Sequence, residues 1–309
     1  MKALVTGANG FLGRRLVQDL LENGHEVIAV VRLAAYGNNR PRMNKDSVLV
    51  VPCGLESYAD LPERIGFPCD WFFHLAWAGV SGSDRYSFAI QEKNIASAVQ
   101  SVAAAKALGC SRFIGAGSIY ETECKAELDM PRKTMDMGNI YKSTKLFAHY
   151  ISKLEAARHG ISFLWPLITN IYGPGERNQR FLTALTNKLL QGQEPALTDG
   201  TQLYDFIYVD DAASAFRLVA EKGTSFENYM ISGRDVKPLR DYILRLRDLV
   251  SPGASLGFGK AGYSGVCLER DAFDNGNLFR DTGFKPQMSF DKGVMLLKKY
   301  IEAEINAGV

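Results

Sequence analysis

Three glycines follow the first apolar segment of this 309-residue chain, in the stretch VTGANGFLG that runs from Val5 to Gly13. Lys2–Thr6 is predicted to be a short strand. Leucines recur at helical spacing through Phe11–Asn23, and Glu26–Val31 is a second apolar run rich in β-branched residues. A strand, a helix and a strand in this order predict a βαβ unit, which commits the chain to a parallel sheet.

A strand-to-helix turn with three glycines is suited to binding a dinucleotide. The first glycine permits a tight turn, the second lets the backbone approach a pyrophosphate, and the third lets the helix pack on the strand. The free N–H groups and the dipole of the helix N-terminus then face the phosphates. The turn therefore predicts cofactor contacts from Gly7, Asn9, Gly10, Phe11, Leu12 and Gly13.

The alternation of strands and helices continues to about residue 165. Further strands are predicted at Val48–Val51, Trp71–Leu75, Arg112–Ala116 and Ser162–Trp165, and helices at Asn94–Leu108 and Asn139–His159. Apolar strands separated by helices predict an α/β fold, a Rossmann-type doubly wound parallel sheet covered on both faces. We place the Rossmann domain at 1–165 and a smaller α/β substrate-binding region at 166–309. The strand and helix near 204–221 are expected to return to the first domain, with Asp210 and Asp211 capping that helix.

The amino-acid composition argues against several kinds of binding partner. A net charge of +2 is too balanced for a nucleic-acid or membrane surface, so neither is predicted as a partner. The five cysteines include no CxxC spacing, which argues against a disulfide framework, and no metal site is predicted. The start MKALVTG leaves no room for a signal peptide, and no apolar run reaches the ~18 residues that span a bilayer. We expect a cytoplasmic protein.

The stretch NIYKSTK places Tyr141 and Lys145 four residues apart on a predicted helix, where they share a face. Interconversion of an alcohol and a ketone needs a group that gives or takes a proton. A free tyrosine has a pKa near ~10, and a neighbouring ammonium is expected to lower it. We predict Tyr141 as the acid/base residue, Lys145 as its partner, and Ser118 as the hydroxyl that holds the reacting oxygen.

Together these motifs resemble the extended short-chain dehydrogenase/reductase superfamily, in the nucleotide-sugar-modifying branch of the NAD-dependent epimerase/dehydratase family. The turn has the form TGxxGxxG, and the segments FFHLAWAG, LITNIYGPG and LYDFIYVDDAA are similar to further segments of that family. The resemblance covers nearly the whole chain. It implies an oxidoreductase that acts on a nucleoside-diphosphate sugar and forms a homodimer.

The resemblance also adds candidate site residues. It implies cofactor contacts from Leu55, Leu75, Ala76, Trp77, Asn94, Tyr141, Lys145 and Leu167, and substrate contacts from Ser118 and Asn170. Two arginines that the family usually has are absent, because this chain has Leu167 and Tyr204 at those positions. Arg177 and Arg180 are among the candidate replacements, and we predict them as further substrate contacts. Two alignments are open for the catalytic hydroxyl. One places Ala116 at the family's serine position, whereas the other retains a hydroxyl at Ser118 with Glu121 in register, and we prefer the second.

The residue after the second strand bears on the choice of cofactor. An acid there would accept hydrogen bonds from the ribose 2′-hydroxyl of NAD, whereas this chain has Arg32, with Arg40 nearby. A cation can pair with the 2′-phosphate of NADP. If Arg32 instead stacks on adenine, NAD would serve as well. NADP is the preferred cofactor and NAD the alternative.

The leading hypothesis is the reduction of a 4-keto-6-deoxy sugar that is attached to a nucleoside diphosphate. A 4-epimerase with retained NAD would use the same residues. A redox sensor that binds NADP without turnover and a reductase of non-sugar ketones are further alternatives. A 4,6-dehydratase is disfavoured, because the related dehydratases carry an acidic pair where this chain has Ile119 and Tyr120.

Overall fold

Six parallel strands form the central sheet, in the order β3-β2-β1-β4-β5-β6. The computed structural model describes residues 1–32, 48–128, 139–263 and 265–307. The strands are β1 (Lys2–Thr6), β2 (Glu26–Val31), β3 (Val48–Pro52), β4 (Trp71–His74), β5 (Arg112–Gly115) and β6 (Ser162–Leu164). The strand order reverses between β1 and β4, and ligands bind at the carboxyl ends of the strands at such a point. The predicted Rossmann-type doubly wound sheet is confirmed.

Helices cover both faces of this sheet. The helices in this part of the chain are α1 (Phe11–Glu22), α2 (Leu61–Ile65), α3 (Phe88–Ala107), α4 (Tyr120–Leu128) and α5 (Asn139–His159). Because both faces are covered, the strands are apolar throughout: Leu4, Ile28 and Phe72 are almost completely buried. Two apolar cores result, one on each side of the sheet.

The start of α3 differs from the prediction. The helix begins at Phe88, six residues before the predicted start at Asn94. Asparagine is favoured at helix N-caps, which makes it a natural place to begin a helix in the sequence. In the structure Asn94 is buried inside the helix, and its side-chain amide binds the backbone of Ala78 instead.

The rest of the chain adds short strand pairs and five helices within the described ranges. Its elements are β7 (Leu167–Ile168), β8 (Asn170–Tyr172), α6 (Phe181–Leu190), β9 (Leu203–Tyr204), β10 (Phe206–Tyr208), α7 (Val209–Lys222), β11 (Met230–Ile231), β12 (Lys237–Pro238), α8 (Leu239–Val250), α9 (Gly276–Thr282) and α10 (Phe290–Asn306). Strand β10 pairs with β8 and β11 with β7, both in parallel, and β12 pairs antiparallel with β9. A third apolar core joins α6, α8 and α10.

Helix α7 packs against α1, and an ion pair of 2.7 Å between Arg217 Nε and Asp19 Oδ2 connects the two helices. A helix from the later part of the chain therefore covers the same face of the sheet as the first helix. The boundary between domains at residue 165, and the assignment of residues near 204–221 to the first domain, stay predictions.

The predicted capping role of Asp210 and Asp211 is wrong. Helix α7 begins at Val209, so both carboxylates lie inside its first turn, and neither accepts a hydrogen bond as an N-cap. Asp210 pairs with Arg15 at 3.2 Å, and Asp211 accepts the N–H groups of Gln287 and Met288, both at 2.9 Å. Asp211 therefore fixes the segment that precedes α10.

All five cysteines are free thiols, and four of them are buried, so no disulfide stabilises the fold. In the part of the chain that the structure describes, no helix combines the length and the apolarity needed to cross a bilayer. The predicted cytoplasmic location stays a prediction.

Candidate active site

The glycine turn between β1 and α1 is closed by steric contact. Gly7 has φ of +68°, and a Cβ added there would lie 2.8 Å from the backbone nitrogen of Ala76. A Cβ added to Gly13 would lie 2.1 Å from the carbonyl oxygen of Gly7. Side chains cannot be accommodated at such distances, so the turn needs glycine at both positions. The two glycines let α1 begin directly against the ends of β1 and β4.

The N-terminus of α1 is open toward a cleft of about 210 Å³, here called the glycine-turn cleft. Gly10 is the N-cap, no side chain caps the helix, and the first turn contains no acid. The backbone N–H groups at this end are therefore free to bind an anion. The residues fit the pyrophosphate of a dinucleotide. The predicted cofactor residues that line this cleft are Gly7, Gly10, Phe11, Leu12, Gly13, Leu75, Trp77, Tyr141 and Lys145.

Other predicted cofactor residues lie around the glycine-turn cleft without lining it. The N–H of Ala76 donates to Thr6 Oγ1 at 3.4 Å, and Asn9 lies inside the glycine turn. Asn94 is completely buried and acts from behind: its Oδ1 accepts the N–H of Ala78 at 2.7 Å, and its Nδ2 donates to the Ala78 carbonyl at 3.0 Å. Asn94 therefore holds the loop that carries Trp77.

Three more predicted cofactor residues lie at strand ends. Arg32 is exposed immediately after β2, and Leu55 begins a 3₁₀ helix (Leu55–Asp60) after β3. Leu167 begins β7 and is half-buried. Arg40 lies outside the described residues.

Tyr141 and Lys145 share one face of α5 and both line the glycine-turn cleft. Lys145 Nζ donates to the carbonyl oxygen of Ala116 at 2.9 Å and lies 3.7 Å from the centroid of the Trp77 ring. The Tyr141 ring packs edge-on against Trp77, with the centroids 6.2 Å apart. The carbonyl bond and the ring contact together fix the ammonium beside the tyrosine.

Burial sets the protonation of this pair. It raises the pKa of Tyr141 to about 12, and the nearby charges of Arg180 and Arg85 oppose the shift without reversing it. Burial also lowers the pKa of Lys145 to about 7, with Glu121 opposing. The expectation of a lowered pKa for Tyr141 is therefore wrong for the protein alone, because desolvation outweighs the charges around the phenol.

Ser118 lines the glycine-turn cleft and also a second cavity of about 320 Å³, here called the outer cavity. Its N–H donates to Glu121 Oε1 at 2.9 Å, and its Oγ accepts the N–H of Tyr120 at 3.3 Å. Ala116 lies nearer the strand, where its carbonyl binds Lys145. The geometry is therefore compatible with Ser118 as the hydroxyl residue, which stays a prediction.

Glu121 is completely buried behind Ser118. Besides the Ser118 N–H, its carboxylate accepts the indole N–H of Trp165 at 3.2 Å and pairs with His149 Nδ1 at 2.8 Å. The backbone at Ser118 is thus tied to a side chain of α5 and to the side chain of Trp165, which follows directly after β6.

The outer cavity brings together residues from distant parts of the chain. Of the predicted substrate residues, Ser118, Asn170 and Arg180 line it, and Asn170 Nδ2 donates to the Asp205 carbonyl at 3.0 Å. Arg180 is the N-cap of α6, and the next three residues of that helix also line the cavity. Arg177 does not line it: its charge lies close enough to Arg14 to help lower the pKa of that guanidinium.

Sequence reasoning missed several residues of the outer cavity. They are Arg85, Tyr120, Thr169, Tyr204 and Phe206. Tyr204 stands where the resemblance implies an arginine, and Tyr120 lies two residues after Ser118, so both positions could have been singled out from the sequence. Arg85 had no motif to single it out. Among the described residues, no group of three or more His, Cys, Asp or Glu is placed to hold a metal ion.

The profile of the NAD dependent epimerase/dehydratase family matches residues 3–232. The chain belongs to this family. The family that the motifs predict is therefore confirmed. The match also supports the more general prediction of an NAD-dependent enzyme. Two curated members illustrate the range of reactions. CDP-abequose synthase of Salmonella typhimurium is 25% identical, covering 96% of this chain and 97% of its own. A dTDP-glucose 4,6-dehydratase of the same organism is 24% identical, covering 95% and 91%.

Solved structures of other proteins have the same fold as this chain. UDP-glucose 4-epimerase from Thermotoga maritima, solved with UDP-glucose, superposes with a TM-score of 0.80 at 22% identity, covering 99% of this chain and 100% of its own. The Bordetella bronchiseptica enzyme WbmF, solved with NAD+ and UDP, gives a TM-score of 0.78 at 21% identity, covering 99% and 93%.

The low pKa of Lys145 predicts how stability depends on pH. The native pKa of about 7 lies below the usual 10.5, so between these values the unfolded chain binds more protons. The free energy of unfolding should therefore rise with pH across this window, by at most about 1.4 kcal/mol per pH unit for this group. In Lys145→Met that contribution should disappear, as measured by denaturant unfolding between pH 7 and 9.

Lys93→Met is the matched control, since Lys93 is exposed on α3. It should retain the pH slope of the wild type. An unchanged slope in Lys145→Met would show that the ammonium is not desolvated.

Proposed function

We propose that this protein is an NAD(P)-dependent oxidoreductase that reduces the keto group of a nucleoside-diphosphate sugar, most simply a 4-keto-6-deoxy sugar. The observation that carries the proposal is that Tyr141 and Ser118 lie where the glycine-turn cleft meets the outer cavity and line both. A carbonyl presented from the outer cavity can reach both hydroxyl groups and a nicotinamide in the cleft.

The outer cavity suits a nucleoside diphosphate. The first turn of α6 and the Arg180 side chain face it, and a helix N-terminus beside a guanidinium binds phosphate oxygens. No aspartate or glutamate lines the cavity among the described residues. The names of two relatives and the bound UDP-glucose and UDP of two neighbours agree with such a substrate class.

Each residue at the junction has a role in the proposed reduction. A nicotinamide bound in the glycine-turn cleft would supply the hydride. Tyr141, whose pKa of about 12 keeps the phenol protonated at neutral pH, gives its proton to the carbonyl oxygen. The Ser118 hydroxyl donates a hydrogen bond to the same oxygen, and Lys145 orients the cofactor ribose beside Trp77. A phenol that holds its proton suits reduction better than oxidation.

The choice between reduction and dehydration rests on the residues after Ser118. Ile119 is buried, and Tyr120 turns its ring toward the outer cavity. Neither is a carboxylic acid, so the acidic pair that the related dehydratases carry at these positions is absent. Reduction therefore fits these side chains, although several relatives are dehydratases.

A 4-epimerase with retained NAD is the second candidate, favoured by the fold shared with UDP-glucose 4-epimerase. NADP is proposed for the reductase because Arg32 is exposed at the end of β2, where a 2′-phosphate would lie. A redox sensor that binds NADP without turnover would not need Tyr141.

Mass spectrometry of the purified protein and calorimetric titration with NADPH and NADH separate these candidates. We expect the protein to purify without nicotinamide and to bind NADPH more tightly than NADH, because Arg32 can pair with the 2′-phosphate. NAD that survives purification, with interconversion of sugars in the absence of added reductant, would establish the epimerase instead.

Replacing Tyr141 by Phe removes the proposed acid and little else. Turnover of the keto substrate should fall by about 100-fold or more, because general acid catalysis contributes factors of this size. Calorimetric binding of NADPH should stay within about twofold of the wild type. Equal turnover in the variant would exclude Tyr141 as the acid and leave the sensor hypothesis standing.

We propose that the protein is a homodimer that buries an apolar stripe on α5. Phe147, Tyr150 and Leu154 lie three and four residues apart on one face and are 52%, 60% and 51% exposed. Aromatic and aliphatic side chains at this spacing form a continuous apolar surface on a helix. A second copy of α5 would cover it by symmetry.

Light scattering during size-exclusion chromatography tests the dimer. The wild type should elute as a dimer, and Phe147→Glu should shift it to a monomer, since a carboxylate would be buried in the interface. Met295→Glu is the control, because Met295 is 45% exposed on α10, away from the stripe. A monomeric wild type, or an unchanged dimer in Phe147→Glu, would contradict the assignment.

A further inference from the structure

Arg85 lies between two tyrosines of the outer cavity. Its Cζ is 4.5 Å from the ring centroid of Tyr120 and 4.5 Å from that of Tyr141. A guanidinium at this distance from two aromatic faces is held by cation–π attraction to both. Arg85 is therefore fixed beside the residue that we place at the reacting carbonyl.

The Nε of Arg85 is buried and has no hydrogen-bond partner among the described residues. A buried donor without an acceptor costs free energy, and native proteins satisfy nearly all such groups. The outer cavity onto which Arg85 opens is where an acceptor could be supplied. An oxygen atom of a bound ligand would satisfy the donor.

The segment that carries Arg85 is tied to the protein core. Arg85 stands in a 3₁₀ helix (Ser83–Tyr86), and the buried Gln91 donates from Nε2 to the carbonyl of Asp84 at 3.2 Å and to that of Gly79 at 2.8 Å. Because both bonds anchor the loop to α3, the guanidinium is positioned before a ligand arrives. Preorganisation of this kind reduces the entropy lost on binding.

The outer cavity offers Arg85 no carboxylate among the described residues that line it. Its described lining residues include two arginines, Arg85 and Arg180, and no carboxylate. The charge of Arg85 acts on the carboxylate of Glu123, but that carboxylate is already paired with Lys142 Nζ at 2.8 Å. Arg180, at the N-terminus of α6, is placed for the diphosphate. Arg85 is the second cation, on the Tyr141 ring.

We propose that Arg85 is a substrate-binding residue that recognises the sugar of the nucleoside-diphosphate sugar, through a hydrogen bond from Nε to a ring-substituent oxygen beside the reacting carbon. The inference rests on the proposed function and adds the group that distinguishes a nucleotide sugar from its nucleotide. Arg180 contributes to binding of both ligands, whereas Arg85 contributes only when the sugar is present.

Calorimetric titration compares UDP, dTDP and CDP with UDP-glucose, dTDP-glucose and CDP-glucose. In Arg85→Met, the dissociation constant of the nucleotide sugar should rise about tenfold or more, as expected for a lost hydrogen bond from a charged donor. The dissociation constant of the matching nucleoside diphosphate should stay within about twofold. Arg180→Met is the matched control and should weaken both ligands.

Arg85→Lys keeps the charge and most of the stem but lacks the Nε–H, so it should show the same selective loss. If thermal unfolding shows that Arg85→Met does not fold, Arg85→Lys still provides the test. The inference is overturned if both Arg85 variants bind the nucleotide sugar like the wild type, if they lose both ligands equally, or if the sugar adds nothing to wild-type affinity. A wild type that binds none of the six ligands would refute the proposed function itself.

Discussion

The site depends on how closely the first helix approaches the first strand. The carbonyl of Gly7 occupies the space that a side chain at Gly13 would need, so α1 begins directly at the point where the strand order reverses. This contact brings uncapped N–H groups to the carboxyl ends of β1 and β4. The glycine-turn cleft, the Trp77 loop and the face of α5 with Tyr141 are all arranged around that end of the sheet.

Desolvation is the second constraint, and at Tyr141 it is stronger than charge. Two arginines near the phenol favour its ionised form, yet burial still raises the pKa to about 12. The same burial removes much of the charge of Lys145 near neutral pH. The enclosure around Tyr141 and Lys145 therefore also keeps the phenol protonated at neutral pH, which is the form that an acid needs.

Strands and helices with a periodic apolar pattern could be predicted from the sequence. Features that depend on contacts between residues far apart in the chain could not. The predicted bounds of the six sheet strands and of α5 lie close to the observed ones, because apolar runs and helical spacing are local properties. The predicted start of α3 is wrong because Asn94 does not cap the helix and instead binds the backbone of Ala78, in the loop that follows β4. Asp211 was given a local capping role, whereas its partners Gln287 and Met288 are more than 70 residues away.

The candidate site likewise has some features that are visible in the sequence and others that appear only in the folded structure. The glycine turn and the Tyr141–Lys145 pair have fixed spacing and were visible as motifs. Arg85 was not, since its relation to Tyr120 and Tyr141 exists only after the loop before α3 folds over α5. The direction of the pKa shift at Tyr141 was also beyond the sequence, because burial is a property of the assembled fold.

Glu121 connects the proposed chemistry to the interior of the protein. Its one carboxylate holds the Ser118 backbone, the Trp165 indole and the His149 ring, and Trp165 in turn fills the space beside Gly115. A change in core packing near Trp165 would thus be transmitted to Ser118, which lines both cavities. In an evolving lineage, substitutions in this part of the core would be filtered by activity as well as by folding, and a change of substrate could begin at a residue that never touches it.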